Sequence, residues 1–309
     1  MIIKTRKKYV YQAFGLDIQS EIPLNELTLN VESREPELFI ILEDLTKLWM
    51  QQETQTGKFS VGKDMVMFQI PNTATFCIKE GKWIIVSPME NAEFDKIHLY
   101  VLGTCMGILL MQKRVMTLHG SAIAINGKAY AIIGDSGAGK STLARAFLKQ
   151  GYKLLSDDLI PLEISDSGIP LVHPSYPQQK LWQESLQEFG METTKYRPLF
   201  DRETKYAIPA NSSFLNEALP LAGVFELVKT ENKDIELKPI ESLERFRTIY
   251  NHTFRRSLIP RLGLIEWHFR ESVKLLKQAD LYQLQRPDSV FTANDLMTRI
   301  MNLITEEER

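Results

Sequence analysis

Through the first third of the chain, apolar residues come in short runs separated by turn residues. Leu38 to Leu42 (LFIIL), Val66 to Ile70 (VMFQI), Thr75 to Ile78 and Trp83 to Val86 are examples, the last two joined through Glu80-Gly81. Runs of this length and spacing read as strands, and they predict a small, mainly antiparallel β region over residues 1–92. The region has no clustered metal-ligating or nucleophilic side chains, so packing or partner recognition is its expected role. From Glu93 to Met116 the period changes. Leu99, Leu102, Met106, Leu109 and Leu110 recur near helical spacing, which predicts a long helix packed beneath the domain that follows.

The next stretch, Leu118 to Asp158, reads LHGSAIAINGKAYAIIGDSGAGKSTLARAFLKQGYKLLSDD. Ser121 to Ile125 and Lys128 to Ile133 flank Asn126-Gly127, a strong short hairpin signal because both central residues of the turn require positive φ. The second strand runs into GDSGAGKS and a helix, Thr142 to Lys149, that Gly151 closes as a C-cap. A short strand, Tyr152 to Ser156, then ends in Asp157-Asp158. Neighbouring acids on a strand are expected on opposite sides.

Beyond it, His173-Pro174-Ser175-Tyr176-Pro177 is a rigid extended connection into Lys180 to Gly190 (KLWQESLQEFG), read as a helix. Met191 to Ser213 is polar and mixed in charge, the pattern of a mobile loop or flap. Pro220 to Lys229 and Leu281 to Leu284 read as core strands, Leu243 to Leu276 as helical, and Thr292 to Glu308 as an amphipathic closing helix. The arginines along Leu243 to Leu276 are expected on solvated helix faces. The fold class expected is α/β, with a P-loop core on a mixed sheet over residues 93–309 behind the N-terminal β region.

Composition narrows this picture. The 309 residues are 44% apolar and 25% charged, as in an ordinary folded chain, and suggest about two domains. A formal net charge of -2 gives no global field toward nucleic acid or an anionic membrane, so neither is an expected partner. The N-terminal MIIKTRKKYVYQAFG lacks the apolar core of a secretory signal, and the longest apolar run, Leu99 to Met111, is shorter than the ~20 residues that span a bilayer. Cys77 and Cys105, both in apolar stretches, are expected as buried thiols, and without a CxxC no structural zinc is expected. A cytoplasmic setting follows.

The chemistry begins at Gly134. GDSGAGKS fits GxxxxGK(S/T), and it sits between an apolar strand and a helix as that motif requires. Successive backbone N–H groups of Gly134, Asp135, Ser136, Gly137, Ala138 and Gly139, with the helix N-terminus at Lys140, Ser141 and Thr142, form a cradle for polyphosphate. Lys140 supplies a point charge to the terminal phosphates, and the Ser141 hydroxyl is a ligand for Mg²⁺. ATP and Mg²⁺ are therefore the expected cofactors. Phosphoryl transfer also needs a group on the acceptor side. Asp157 is the expected base and Asp158 the acid toward the metal, while His119, just ahead of the hairpin, either tunes Asp157, contacts phosphate, or serves the fold alone.

From His119-Gly120 through GDSGAGKS to Ser156-Asp157-Asp158, the sequence resembles the kinase core of HPr kinase/phosphorylase, the bacterial serine kinase of the phosphotransfer protein HPr. That resemblance implies Asp157 as base, Asp158 close to Mg²⁺, and a fold shared with phosphoenolpyruvate carboxykinase. Two departures stand out: no glycine-rich signature follows the Asp-Asp, and the first ~110 residues differ from the usual HPr kinase N-terminal domain. The whole chain is more similar to the HPr-kinase-like proteins of ribosomal-peptide gene clusters, including lasso peptide kinases. The shared stretches are YxxFGLxIxSEIPLxEL (Tyr11 to Leu27), YVLGxxxGxLL, LHGSAI, HPSYPQQKLW and PLAGVFEL. In that group the acceptor is a serine at the C-terminal end of a precursor peptide, which Lys180, Arg197, Arg202 and Lys205 would then help to hold. HPr itself is the alternative acceptor, and a nucleotide-sensing scaffold without transfer the alternative class. The hexameric HPr kinases imply a homo-oligomer.

Overall fold

The computed structural model describes residues 7–30, 35–52, 58–199 and 202–307; the side chains at 202, 203 and 307 lie outside that description, as does the start of the charged N-terminal stretch. The chain divides into two compact units, residues 1–117 with 257–267 and residues 118–256 with 268–309. The first unit therefore runs past the division expected at residue 92.

In the first unit, β1 (Tyr9–Ala13), β2 (Leu16–Ser20), β3 (Leu38–Leu42), β4 (Ser60–Val61), β5 (Met65–Ile70), β6 (Ala74–Lys79) and β7 (Trp83–Pro88) form one sheet in the order β1-β2-β3-β7-β6-β5-β4. Its hairpins are antiparallel, but β2 with β3 and β3 with β7 pair in parallel. A short helix α1 (Thr46–Met50) follows β3. The expected long helix is α2 (Phe94–Tyr100), a π-helical turn Val101–Cys105 and α3 (Met106–Gln112). By length and composition it could cross a membrane, and 72% of its apolar window is buried inside the fold. It packs on the sheet of its own unit, against β6 and β7. The Gln112 side chain fixes it there, donating to the Ile78 carbonyl at 3.2 Å and accepting from the Gly81 N–H at 3.1 Å. Cys77 and Cys105 form no disulfide and are fully buried in this unit, and burial raises the Cys77 thiol to about 11.

The second unit is built on β8 (Met116–Ile125) and β9 (Lys128–Gly134), an antiparallel pair joined at Asn126-Gly127, whose φ angles are 49° and 72°. After β9 come α4 (Lys140–Lys149), β10 (Lys153–Ile164), β11 (Pro170–Val172), β12 (Gln178–Trp182), α5 (Gln183–Glu188), β13 (Arg197–Leu199), β14 (Arg202–Pro209), β15 (Leu219–Thr230) and β16 (Glu236–Pro239). The chain then passes through α6 (Ser242–His252), α7 (Leu258–Arg261), α8 (Ile265–Leu276), β17 (Asp280–Pro287) and α9 (Ala293–Glu307); α7 belongs to the first unit. The main sheet runs β11-β10-β8-β9-β15-β17-β16, with β9, β15 and β17 mutually parallel. It is an α/β unit on a mixed sheet, as expected. Ile123, Tyr130 and Ile132 on one face meet Leu143 and Phe147 of α4 and Leu296 and Ile300 of α9 in a single core cluster. Each such side chain, fully buried, contributes about 1.5–3 kcal/mol.

Two local readings are corrected. Lys180 lies on strand β12 rather than in a helix, which starts only at Gln183. Met191 to Ser213, read as a loop, contains the strands β13 and β14, which join β12 in an antiparallel sheet of order β12-β14-β13. Tyr206 and Ile208, at alternate positions of a polar segment, cover Leu181 and Leu186. Two apolar residues at a spacing of two suffice when the other face stays polar.

One buried group in this unit carries a pH prediction. His268 is buried and its Nε2 lies 2.7 Å from Thr253 Oγ1, whose own hydrogen goes to the Ile249 carbonyl at 2.8 Å. Nε2 therefore carries a proton and donates it to Thr253. Burial pushes the imidazole down from 6.5 to about 4, so the unfolded chain binds the proton more readily. Stability is full above the unfolded value and falls as pH drops from 6.5 toward 4. Between pH 7 and pH 5 we expect a loss of about 2 kcal/mol from this group, read as the difference in urea midpoints between wild type and His268→Gln.

Candidate functional site

The hairpin β8–β9 carries the glycine-rich loop GDSGAGKS at the C-terminal end of β9. Gly134 leaves the strand at φ 145°, and a Cβ there would overlap the Leu227 carbonyl oxygen of β15. Asp135, Ser136 and Gly137 form the exposed rim, whereas Ala138 is buried. Gly139 at φ 106° turns the chain into α4. The buried Lys140 ammonium donates to the carbonyls of Gly134 and Asp135 at 2.9 Å each. Burial lowers its pKa, against the pull of Asp157 and Asp158. The Thr142 hydroxyl is turned away to Ser185 at 2.7 Å, tying α4 to α5.

The two carboxylates lie within β10, which continues to Ile164, and not at a strand tip. Nor do they point to opposite sides. Asp158 has φ 78°, a left-handed residue that breaks the alternation of the strand, and both carboxylates reach the same face of β8. Asp157 accepts from Ser121 at 2.5 Å, and Asp158 lies by His119, two residues earlier on β8. Gly120 between them allows the close approach of β9, since a Cβ there would overlap the Ile132 carbonyl oxygen.

The two carboxylates make different contacts. Asp157 is buried; its Oδ1 accepts from Ser121 and, at 2.8 Å, from Ser141, and its Oδ2 accepts from the Lys180 backbone N–H at 2.8 Å. It is thus Asp157, not Asp158, that stands beside the phosphate-loop serine. Asp158 is partly open to solvent and pairs with the Lys180 ammonium at 2.7 Å, with His119 Nδ1 at 3.4 Å from its carboxylate and 3.0 Å from its carbonyl oxygen. Burial acts to raise the Asp158 carboxyl, but Lys180, His119 and Lys205 hold it well below the usual range. The same burial works against the Lys180 charge, and Asp158 more than offsets it, holding Lys180 above its ordinary value. Burial also lowers His119, against the attraction of Asp158.

The other cations form a face. Lys180 pairs with Ala207, Ala207 with Arg197, and Trp182 with Lys205. Directly opposed residues of antiparallel strands share a side, so Lys180, Trp182, Lys205 and Arg197 line one face of the small sheet. The Lys205 ammonium sits 5.4 Å over the Trp182 ring, and its charge is felt at His119, Lys140 and Asp158. Arg197 is exposed at the outer strand. The side chain of Arg202 lies outside the described residues.

Sequence reasoning missed Ser121 as a carboxylate partner, and it grouped Lys180 with the cations expected to hold the acceptor without its contact to Asp158. Ser121 could have been found from its place two residues after His119 on one strand face. Lys180 could not, because it reaches the carboxylates through β12, a strand misread as helix. The oxygens of Ser141 and Asp157 are hard donors suited to Mg²⁺. Among the described residues no group of three or more His, Cys, Asp or Glu side chains is placed to hold a metal by itself, so such an ion would share its ligands with phosphate and water.

No family model matches the chain. Sequence similarity is found to HPr kinase/phosphorylases: 36% identity over 69 residues to that of Mycoplasmopsis pulmonis, 30% over 105 residues to that of Lactobacillus gasseri, and 39% over 92 residues to that of Clostridium botulinum. These matches cover 22%, 31% and 29% of this chain and only 22%, 33% and 28% of the relatives' own lengths. The solved HPr(Ser) kinase/phosphatase of Coxiella burnetii aligns over 62% of this chain and 98% of its own, at 14% identity and a TM-score of 0.32.

Proposed function

We propose that the protein is an ATP- and Mg²⁺-dependent serine kinase of HPr-kinase-like type, a reading supported by the similarity of its matched segment to HPr kinase/phosphorylases. The observation that carries the reading is the contact between Asp157 and Ser141 at 2.8 Å on the glycine-rich loop, with a second carboxylate, Asp158, beside it and paired with Lys180. Ser141 and Asp157 would hold the metal, which when bound neutralises charge on the terminal phosphates. Lys140, released from its own loop carbonyls, takes the same phosphates. Asp158 orients the acceptor hydroxyl, whose oxygen bonds to the γ-phosphorus as the bond to the β–γ bridging oxygen breaks. The acceptor proton passes to Asp158 and ADP leaves. A carboxylate held so acidic is a weak base, which suits a transfer in which positioning outweighs proton abstraction. The Lys180 ammonium, 2.7 Å from Asp158, is placed to follow the transferred phosphate.

The acceptor we propose is a serine in the C-terminal tail of a ribosomally made precursor peptide of the lasso type. Lys205 and Arg197, lining the approach on the small sheet, would meet its carboxylate. HPr is the second reading, favoured by the names of the matched relatives. Buried thiols and a buried apolar helix support a cytoplasmic enzyme. A homo-oligomer is part of the proposal through the family alone. Incubation with γ-labelled ATP, offering precursor peptide and purified HPr side by side, is expected to label a serine of the peptide. Label on HPr alone would transfer the reading to the second acceptor. Tight nucleotide binding with no label on any acceptor would make the chain a nucleotide-sensing scaffold.

A further inference from the structure

The phosphate loop is braced from a strand that the sequence did not connect with it. Arg286 lies at the end of β17, two strands away from β9 in the parallel part of the sheet. Its guanidinium Nε donates to the Ala138 carbonyl at 2.8 Å and its Nη1 to the Pro287 carbonyl at 2.8 Å. The same group packs against Gly139, where an added Cβ would lie 3.5 Å from both Nε and Nη2. Ala138 and Gly139 are the residues whose backbone turns the loop into α4, so the contact falls where N–H groups must be aimed at phosphate.

The surroundings of Arg286 are unusual for a half-buried cation. Its two hydrogen bonds go to neutral carbonyls, and burial works against its charge, opposed by the carboxylate of Asp288 two residues on. No ion pair neutralises Arg286 among the described residues. A guanidinium held in place but without a carboxylate partner is suited to an anion that arrives later. The anion that fits a phosphate loop is a polyphosphate.

We propose that Arg286 is a positioning residue of the nucleotide site, fixing the Ala138–Gly139 turn and completing its own electrostatic environment with the polyphosphate of the bound nucleotide. This rests on the nucleotide site proposed above. Two consequences separate it from a purely structural role. Binding should depend on the charge of Arg286 as well as on its shape, and the dependence should grow with the number of phosphates on the ligand.

The test uses the full chain and fluorescent N-methylanthraniloyl derivatives of ATP and AMP, with Mg²⁺, at two salt concentrations. Arg286→Ala and Arg286→Gln are expected to weaken ATP-derivative binding about tenfold or more, as for loss of a charge-assisted contact. Both should bind the AMP derivative within about threefold of wild type, as that loss scales with phosphate charge. Arg286→Lys, which keeps the charge and loses the planar fork, is expected to fall between. Arg286→Gln and Arg286→Lys keep most of the side-chain volume, so they carry the test if the alanine variant is poorly folded. Equal affinity of wild type and Arg286→Gln for the ATP derivative, or equal losses for the ATP and AMP derivatives, would overturn the role of Arg286. Absence of binding by wild type would instead refute the nucleotide site.

Discussion

Asp158→Asn is expected to reduce phosphoryl transfer by about 10²- to 10⁴-fold, the range set by loss of a positioned acid–base group. Nucleotide binding should stay within about threefold of wild type, since the contacts to Ser141 belong to Asp157. Asp158 touches Lys180 and His119, not the phosphate loop, so its removal should fall on kcat rather than on KM for ATP. Asparagine keeps the shape but offers no site for the acceptor proton, and it loses the charge that holds Lys180. Single-turnover transfer from γ-labelled ATP, set beside direct nucleotide titration, separates the two effects. A parallel loss in binding and transfer would place Asp158 on the metal side after all.

Asp157→Asn is expected to act differently and to damage more. Asp157 is buried and accepts three hydrogen bonds, from Ser121, Ser141 and the Lys180 N–H. An amide can keep its oxygen on the Lys180 N–H, but its NH2 must reverse the bonds to the Ser121 and Ser141 hydroxyls, and the charge that strengthened all three is lost. We expect a loss of about 1.5–3 kcal/mol of stability, the range for hydrogen bonds to a charged group. The Mg²⁺ concentration for half-maximal nucleotide binding should rise at least about tenfold, as expected when a carboxylate ligand to a hard cation is lost. Urea denaturation measures the first and a Mg²⁺ titration of nucleotide binding the second. Unchanged Mg²⁺ dependence in a folded variant would remove Asp157 from the metal side.

Much of this was legible in the sequence because the signals are local. The hairpin at Asn126-Gly127 follows from two residues that tolerate positive φ, and the phosphate loop from glycine spacing between a strand and a helix. What the sequence did not reveal depends on non-local pairing or on one backbone angle. Lys180 meets Asp158 only because Gln178 to Trp182 is drawn into a strand by β14, whose pairing partners lie some distance along the chain. The face shared by Asp157 and Asp158 depends on φ 78° at Asp158, since strand periodicity alone sends neighbours to opposite sides. Arg286 reaches Ala138 across 148 positions of sequence, and a lone arginine before a proline carries no motif. The long helix at Phe94 to Gln112 was visible in its period, but periodicity does not identify the sheet it covers.

The most direct measurement is the Mg²⁺ dependence of γ-phosphate transfer in Asp157→Asn and Asp158→Asn, run side by side with wild type. With Asp157 on the metal side and Asp158 on the acceptor side, the first variant should need more Mg²⁺ to reach half its maximal rate. The second should keep the wild-type midpoint at a far lower maximum. The opposite outcome, a shifted midpoint in Asp158→Asn and an unshifted one in Asp157→Asn, would contradict the arrangement.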